Sequence, residues 1–378
     1  MEQITLIATA KFGLEMLVQQ EMLALGYENV RVANGRIETT ATLADIPKLN
    51  LWLRCADRVL LQMGAFKALT FDELFEQTTQ LPWEEWITQD GQFTVKATAV
   101  QSQINSARSC QSIVKKAVVE RLKTHYQTEW FPETGAEFTI QATIYRNTAT
   151  LAIDTSGAGL HKRGYRAEAG DAPLKETLAA ALIMLSDWDQ QSLLIDPMCG
   201  SGTILIEAAL IAQNMPPGLQ REFASEEWPA IPDNLWEAAR EYGRSTITPN
   251  PDLQLIGYDI DGKLLQTAQQ NADKAGVAKN IQFQKQDVKK LWIDQQFGTF
   301  ICNPPYGMRM AEFQEINQIY IALNKTFRKK SGWSVNVLTA DKQFPKYFKR
   351  SRPDRIRKLT NGNINVNYYQ FDGKHEDV

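Results

Sequence analysis

Residues 300–307 read Phe-Ile-Cys-Asn-Pro-Pro-Tyr-Gly, a run that sets an amide, two prolines and a tyrosine side by side behind an apolar stretch. These residue types suit one difficult problem. An amine attached to an aromatic ring has its lone pair drawn into the ring and is a poor nucleophile. Two acceptors that bond both amino hydrogens favour pyramidalisation and turn the lone pair toward an electrophilic carbon. Asn303 offers its side-chain carbonyl for this, and Pro304 offers a backbone carbonyl whose direction Pro304 and Pro305 fix between them. Tyr306 can stack on a base, which must leave its helix to be reached. No metal and no covalent nucleophile is needed, because in-line positioning supplies much of the rate.

Three constellations upstream could hold the group that supplies the electrophile. The run Asp196-Pro-Met-Cys-Gly-Ser-Gly-Thr203 follows an apolar strand and precedes a helix. Gly200 and Gly202 let the backbone turn sharply and lie close to a ligand. Met198 and Cys199 do not complete the Gly-x-Gly-x-x-Gly of a dinucleotide site, and the run by itself also reads as an ordinary Gly-rich turn. Asp259, in Leu255-Ile-Gly-Tyr-Asp-Ile-Asp261, ends a second apolar strand, where a carboxylate can accept both ribose hydroxyls of a nucleoside. Asp261 is placed instead to cap the next helix. Asp287 follows a third strand and reads equally as a turn or cap residue.

The elements that must position these residues alternate. From about Pro173 the pattern gives helix 174–185, strand 192–196, helix 203–214, strand 253–259, helix 264–275 and strand 281–284. Strand 299–303, helix 314–327 and strand 334–339 follow. Repeated strand-then-helix units imply a mostly parallel sheet covered on both faces. Before it, apolar alternation at 4–9, a helix from Leu14 to Leu25, strand-like pieces at 30–40 and a helix near 44–55 suggest a small α+β unit over 1–63. A second unit over 64–155 holds a strand at 93–99, a helix at 109–125 and strands at 138–145 and 148–154. Arg146-Asn147 joins the last two as a hairpin. The Gly-rich, basic run 155–166 reads as a linker, extended to 156–172, ahead of a domain at 173–378.

Composition bounds the rest. A chain of 378 residues exceeds one ordinary core, and 43% hydrophobic with 22% charged residues describes a globular protein. The net charge of -3 gives no global sign of nucleic-acid binding, so that reading rests on local patches. One such patch runs from Lys325 to Lys358, where twelve Lys or Arg face only Asp341 and Asp354. Phe344, Tyr347 and Phe348 interleave with the charges, and the expectation is a phosphate-contacting surface near the site, with a solvated charged face as the plainer reading. Trp228 and Trp236, in the long segment 214–252, are expected to be packing residues. Four scattered cysteines and three histidines argue against disulfides and a metal centre. The N-terminus has no basic-then-apolar leader and no window is apolar enough to span a bilayer, so a cytoplasmic location without membrane association is expected.

The loop Asp196–Thr203 resembles the cofactor loop of class I S-adenosylmethionine methyltransferases, and Asn-Pro-Pro-Tyr resembles the catalytic motif of those acting on adenine N6, guanine N2 and glutamine amides. The whole chain resembles the bacterial THUMP-domain RNA methyltransferases, in particular those that make N2-methylguanine in 23S ribosomal RNA. Lys11-Phe-Gly-Leu-Glu15, Leu160-His-Lys-Arg-Gly-Tyr-Arg166, Ala172-Pro-Leu-Lys-Glu-Thr-Leu178 and Asn303-Pro-Pro-Tyr-Gly307 carry that resemblance. It implies an α/β, Rossmann-like methyltransferase domain with a mostly parallel seven-stranded sheet, preceded by a ferredoxin-like unit and a THUMP module. It implies S-adenosylmethionine held by Asp196, Cys199, Gly200, Gly202, Thr203, Asp259 and Asp287, the last at the adenine amino group, with Asn303 beside it. Asn303, Pro304, Pro305 and Tyr306 would serve the base, and the partner would be 23S rRNA or a pre-ribosomal particle. The chain has one methyltransferase domain where this family can fuse two. An adenine-N6 enzyme, a protein-glutamine methyltransferase and a silent ribosome-assembly factor remain as alternatives, and the sequence leaves oligomeric state open.

Overall fold

The computed structural model describes residues 3–166, 174–306 and 310–373, so Ala172, Pro173 and Gly307 of the motifs above lie outside the described residues. The chain divides into two compact units. The first comprises 1–10, 22–160 and 222–242; the second comprises 11–21, 161–221 and 243–378.

In the first unit a seven-stranded sheet carries β1 (Ile4–Thr9), β2 (Val30–Ala33), β3 (Arg36–Ala41), β4 (Arg58–Lys67), β5 (Gln92–Val100), β6 (Glu137–Tyr145) and β7 (Thr148–Asp154), in the order β2-β3-β1-β4-β7-β6-β5. The expected boundary at 63/64 falls inside β4, beside the bulge at Gln62/Gly64, and one sheet runs through both of the expected small units. Arg146 and Asn147 both take left-handed φ, +49° and +63°, as a two-residue turn that follows strand twist requires. α1 (Glu15–Ala24), α2 (Asp45–Trp52), α3 (Phe71–Thr79) and α4 (Ala107–Tyr126) complete this part of the chain. Residues 222–242, from the long inserted segment, belong to this unit. Trp228 stacks on Phe138 with ring centroids 4.9 Å apart, and its indole N–H donates to the Glu137 carbonyl at 3.2 Å. Trp236 is buried against Phe223, so both tryptophans are packing residues as expected.

The second unit holds β8 (Leu194–Asp196), β9 (Leu255–Asp259), β10 (Ile281–Lys285), β11 (Gly298–Cys302), β12 (Trp333–Thr339), β13 (Arg355–Asn361) and β14 (Ile364–Phe371), in the order β10-β9-β8-β11-β12-β14-β13. The first five are mutually parallel, whereas β14 runs antiparallel to β12 and β13. The helices are α5 (Glu176–Leu185), α6 (Thr203–Ala212), α7 (Asp233–Ser245), α8 (Gly262–Ala275), α9 (Met310–Phe327) and the short α10 (Phe344–Tyr347), with α7 crossing from the first unit into the second. From β8 the chain winds outward through β9 to β10, then returns past β8 to β11. The strand order therefore reverses between β8 and β11, and in open α/β sheets ligands bind outside the carboxyl ends at such a reversal.

The described part of the stretch expected as a linker, up to Arg166, is packed rather than solvated. Arg163 is 3% exposed and pairs with the fully buried Glu207, which also accepts a hydrogen bond from the Tyr165 hydroxyl at 3.1 Å. Gly164 takes φ +101°, and a Cβ there would meet the Gln220 carbonyl oxygen at 2.4 Å. Lys11–Glu21, read as part of an N-terminal unit, belongs to the second compact unit, where Gly13 lies against the Lys358 carbonyl of β13.

The basic segment 325–358 is likewise not one surface. Phe344 and Phe348 are fully buried in the core with Phe371, so they stack on no base. The Arg350 guanidinium donates to the carbonyls of Lys330 and Ser331, just before β12 starts. Lys349 N–H bonds Asn324 Oδ1 in the last part of α9. These contacts put Lys349 and Arg350 at the amino ends of the strands, opposite the reversal. Lys346, in α10 three residues before Lys349, is exposed.

Candidate active site

A cavity of about 600 Å³ opens at the carboxyl ends of the parallel strands. Among its described walls are Pro197 and Met198 after β8, Asp259, Ile260 and Asp261 after β9, and Asp287 and Val288 after β10. Asn303, Pro304, Pro305 and Tyr306 after β11, Ile319 of α9 and Asn361 of β13 face the same space. Six separate stretches of sequence thus converge, four of them at the ends of parallel strands. Asp196, Cys199, Gly200, Gly202 and Thr203 are not among these walls; they build the loop behind Pro197 and Met198.

That loop is held from several sides. Asp196 Oδ1 accepts from Met198 N–H at 3.2 Å, and Cys199 N–H donates to the Tyr258 carbonyl at 2.8 Å. Gly200 and Gly202 adopt φ +53° and +81°, in the left-handed region that favours glycine. Gly200 N–H donates to Asp259 Oδ2, and Asp261 N–H to Asp259 Oδ1, each at 2.9 Å. Arg166 bonds Ser201, Thr203 and the Leu174 carbonyl and pairs with Glu176. Asn271 donates to the Ser201 carbonyl at 3.1 Å. Arg166 and Asn271 were not singled out in the sequence; the Gly-rich composition around Arg166 pointed to a connector, and a mid-helix asparagine carries no local signal.

Burial dominates the electrostatics. It pushes the Asp196 carboxyl up to about 8, opposed by the Met198 hydrogen bond and aided by the charge of Asp259. It also raises the Cys199 and Cys302 thiols, so neither is a ready nucleophile. Asp261 accepts from Lys263 N–H at 2.8 Å and is the N-cap of α8, as expected. Asp287 caps the turn 288–290 through Lys289 N–H at 2.9 Å and at the same time lines the cavity.

At the β11 end, Pro304 is buried and Pro305 exposed, while Asn303 and Tyr306 are half-buried. The Tyr306 hydroxyl donates to Asn303 Oδ1 at 2.7 Å and accepts from Asn361 Nδ2 at 3.0 Å. Asn361 went unnoticed in the sequence because it sits in an edge hairpin 55 residues from its partner. Among the described residues no group of His, Cys, Asp or Glu is arranged to hold a metal ion, and no helix is long and apolar enough to cross a membrane.

The donor set fits a nucleoside sulfonium. Four carboxylates line the cavity, Asp259, Asp261, Asp287 and Glu315, of which Asp259 has lone pairs beyond its two backbone bonds, and Ile260, Leu264, Val288 and Ile319 offer apolar walls for a purine. A sheet of this order with a glycine turn after its first strand, an acidic tip on its second and Asn-Pro-Pro-Tyr after its fourth defines a Rossmann-like class I methyltransferase. The chain belongs to the RMKL-like methyltransferase family, whose model matches residues 163–370; an RlmL ferredoxin-like domain matches 5–60 and a THUMP domain 68–154.

Relatives agree along the whole chain. YpsC of Bacillus subtilis (strain 168), whose name assigns it provisionally to the RNA methyltransferases, is 43% identical over 98% of this chain and 96% of its own. The ribosomal RNA large subunit methyltransferase K/L of Psychromonas ingrahamii is 35% identical over 89% of this chain, but the match spans only 46% of that longer protein. The crystal structure of SMU.472, described provisionally as a methyltransferase and complexed with SAH, superposes with a TM-score of 0.92 at 37% identity, covering 99% of each chain. A Listeria monocytogenes structure described as a predicted N6-adenine-specific DNA methylase superposes at 0.94 with 42% identity, covering 99% of this chain and 97% of its own.

Proposed function

We propose that this protein transfers the methyl group of S-adenosylmethionine to an exocyclic amine of RNA, and specifically to N2 of a guanine in 23S ribosomal RNA. The observation that carries the reading is that Asn303 and Tyr306 line the same cavity as Asp259 and Asp287. S-adenosylmethionine supplies an activated methyl group on a sulfonium. Asp259 accepts the ribose hydroxyls and Asp287 the adenine amine, while the loop Asp196–Thr203 seats the methionine end. Asn303 Oδ1 and the Pro304 carbonyl accept the two amino hydrogens of the target base, Pro305 stiffens that turn, and the Tyr306 ring stacks on the base.

The THUMP match and the RNA methyltransferase names of the relatives support RNA as the substrate class. The large-subunit name of the Psychromonas relative supports 23S rRNA, on a match covering less than half of that protein. A second reading, adenine N6, is favoured by the description of the Listeria structure and shares every residue above. Incubating the protein with methyl-labelled S-adenosylmethionine and, separately, total RNA, DNA or protein tests the class. Label in RNA alone is expected; label in DNA or protein, or none, overturns it.

A further inference from the structure

The tip of the Asn303 side chain carries an oxygen and a nitrogen that differ in chemistry and little in shape. Only the oxygen can accept an amino hydrogen, and an amide turned by half a rotation would present a donor to a donor. Something must therefore fix which end faces the cavity. Asn361, the last residue of β13, donates from Nδ2 to the Tyr306 hydroxyl oxygen at 3.0 Å. An amide nitrogen only donates, so the hydroxyl accepts there and keeps its own hydrogen for Asn303 Oδ1, 2.7 Å away. Asn303 Oδ1 has two lone pairs, one used by Tyr306 and one left for a base. Burial raises the Tyr306 phenol to about 12, which keeps that hydrogen in place at neutral pH.

We propose that Asn361 is a positioning residue for methyl transfer, locking the Asn303 amide oxygen toward the target amine through the Tyr306 hydroxyl. This rests on the reading above that Asn303 meets that amine. The plainer role for Asn361 is to close the β13–β14 hairpin, where it pairs with Ile364 beside Gly362 at φ +60°.

Two variants separate these roles. Asn361→Asp keeps the size of the side chain but reverses its bonding. A carboxylate only accepts, so it takes the Tyr306 hydrogen and leaves the hydroxyl oxygen facing Asn303, which draws the Asn303 nitrogen round in its place. Asn361→Leu removes the bond and leaves the amide free to populate both orientations, costing about half of the competent population. The expected order of kcat on RNA is wild type, then Asn361→Leu within about twofold, then Asn361→Asp lower by on the order of tenfold, short of the roughly 100- to 1,000-fold of a direct contact. Cofactor Kd and Tm stay at wild-type values in the Asp variant, and its loss vanishes in a Tyr306→Phe background. Wild-type kcat in Asn361→Asp, a loss that follows Tm, or a loss additive with Tyr306→Phe overturns the proposal. The relay is also read without turnover, by neutron diffraction of the wild type. Hydrogen on the Tyr306 oxygen directed at Asn303 supports it, and hydrogen directed at position 361 overturns it. A wild-type protein that shows the relay but transfers no methyl group to RNA contradicts the functional reading instead.

Discussion

Gly200 and Asp259 are joined by a 2.9 Å hydrogen bond from the glycine N–H to the carboxylate, across 59 residues of sequence. The tip of β9 thereby clamps the loop that follows β8. The clamp depends on close packing beneath it: a Cβ at Gly257 would meet Leu205 at 2.7 Å and the Cys199 sulfur at 2.9 Å. Asp259→Ala removes both the clamp and the proposed ribose acceptor. Cofactor affinity should fall by about ten- to a hundredfold, the equivalent of roughly 1.5–3 kcal/mol for charge-assisted hydrogen bonds. Isothermal titration measures it, and an unchanged Kd would transfer the ribose role to Asp261.

Asp196 makes stability depend on pH. Its folded pKa, about 8, lies above the unfolded carboxylate value, so the folded state binds this proton more tightly. Its contribution is full below about pH 4 and is lost as the pH rises toward and through about 8. Asp196→Asn, which keeps an acceptor for Met198 N–H, should gain on the wild type in Tm from pH 5 to about pH 8 and level off above it. A Tm difference that stays constant across that range would show that the carboxyl does not titrate there.

The basic segment separates into anchors and free charges. Phe348→Ala should cost about 3–5 kcal/mol of stability, as large aromatic truncations in a core do. Arg350→Ala should lower Tm by stripping two carbonyls of their donor. Lys346→Ala should leave Tm alone and, if a phosphate contact is lost, lower the log–log salt slope of RNA binding by roughly 0.7 to 0.9. An unchanged slope moves the RNA path away from α10.

Much of the site was legible because it lies where local sequence and fold coincide. Asp259 ends β9 and Asn303 and Asp287 follow β11 and β10 within two residues, and parallel strands bring their carboxyl ends together wherever the helices lie. Glycines at positive φ after β8 announced a turn in the same way. The residues that escaped are tertiary. Arg166 looked like a solvated linker charge, yet Glu176 and Thr203 claim it. Phe344 and Phe348 alternate with lysines as a base-stacking surface would, because a four-residue helix at the edge of a core buries one face and exposes the other. Lys11–Glu15 stands next to β1 in sequence and packs on β13. Asn361 has no meaning until the hairpin carrying it is laid beside β12.

Asn303 carries the central claim, and one measurement reaches it directly. Ribosomal RNA from cells lacking the gene is incubated with S-adenosylmethionine and either the wild type or Asn303→Ala, and its nucleosides are then resolved by mass spectrometry. N2-methylguanosine is expected in 23S rRNA with the wild type, and on the order of 100- to 1,000-fold slower with the variant, whose cofactor Kd stays near normal. N6-methyladenosine in its place, or N2-methylguanosine formed at the same rate by Asn303→Ala, would contradict the assignment.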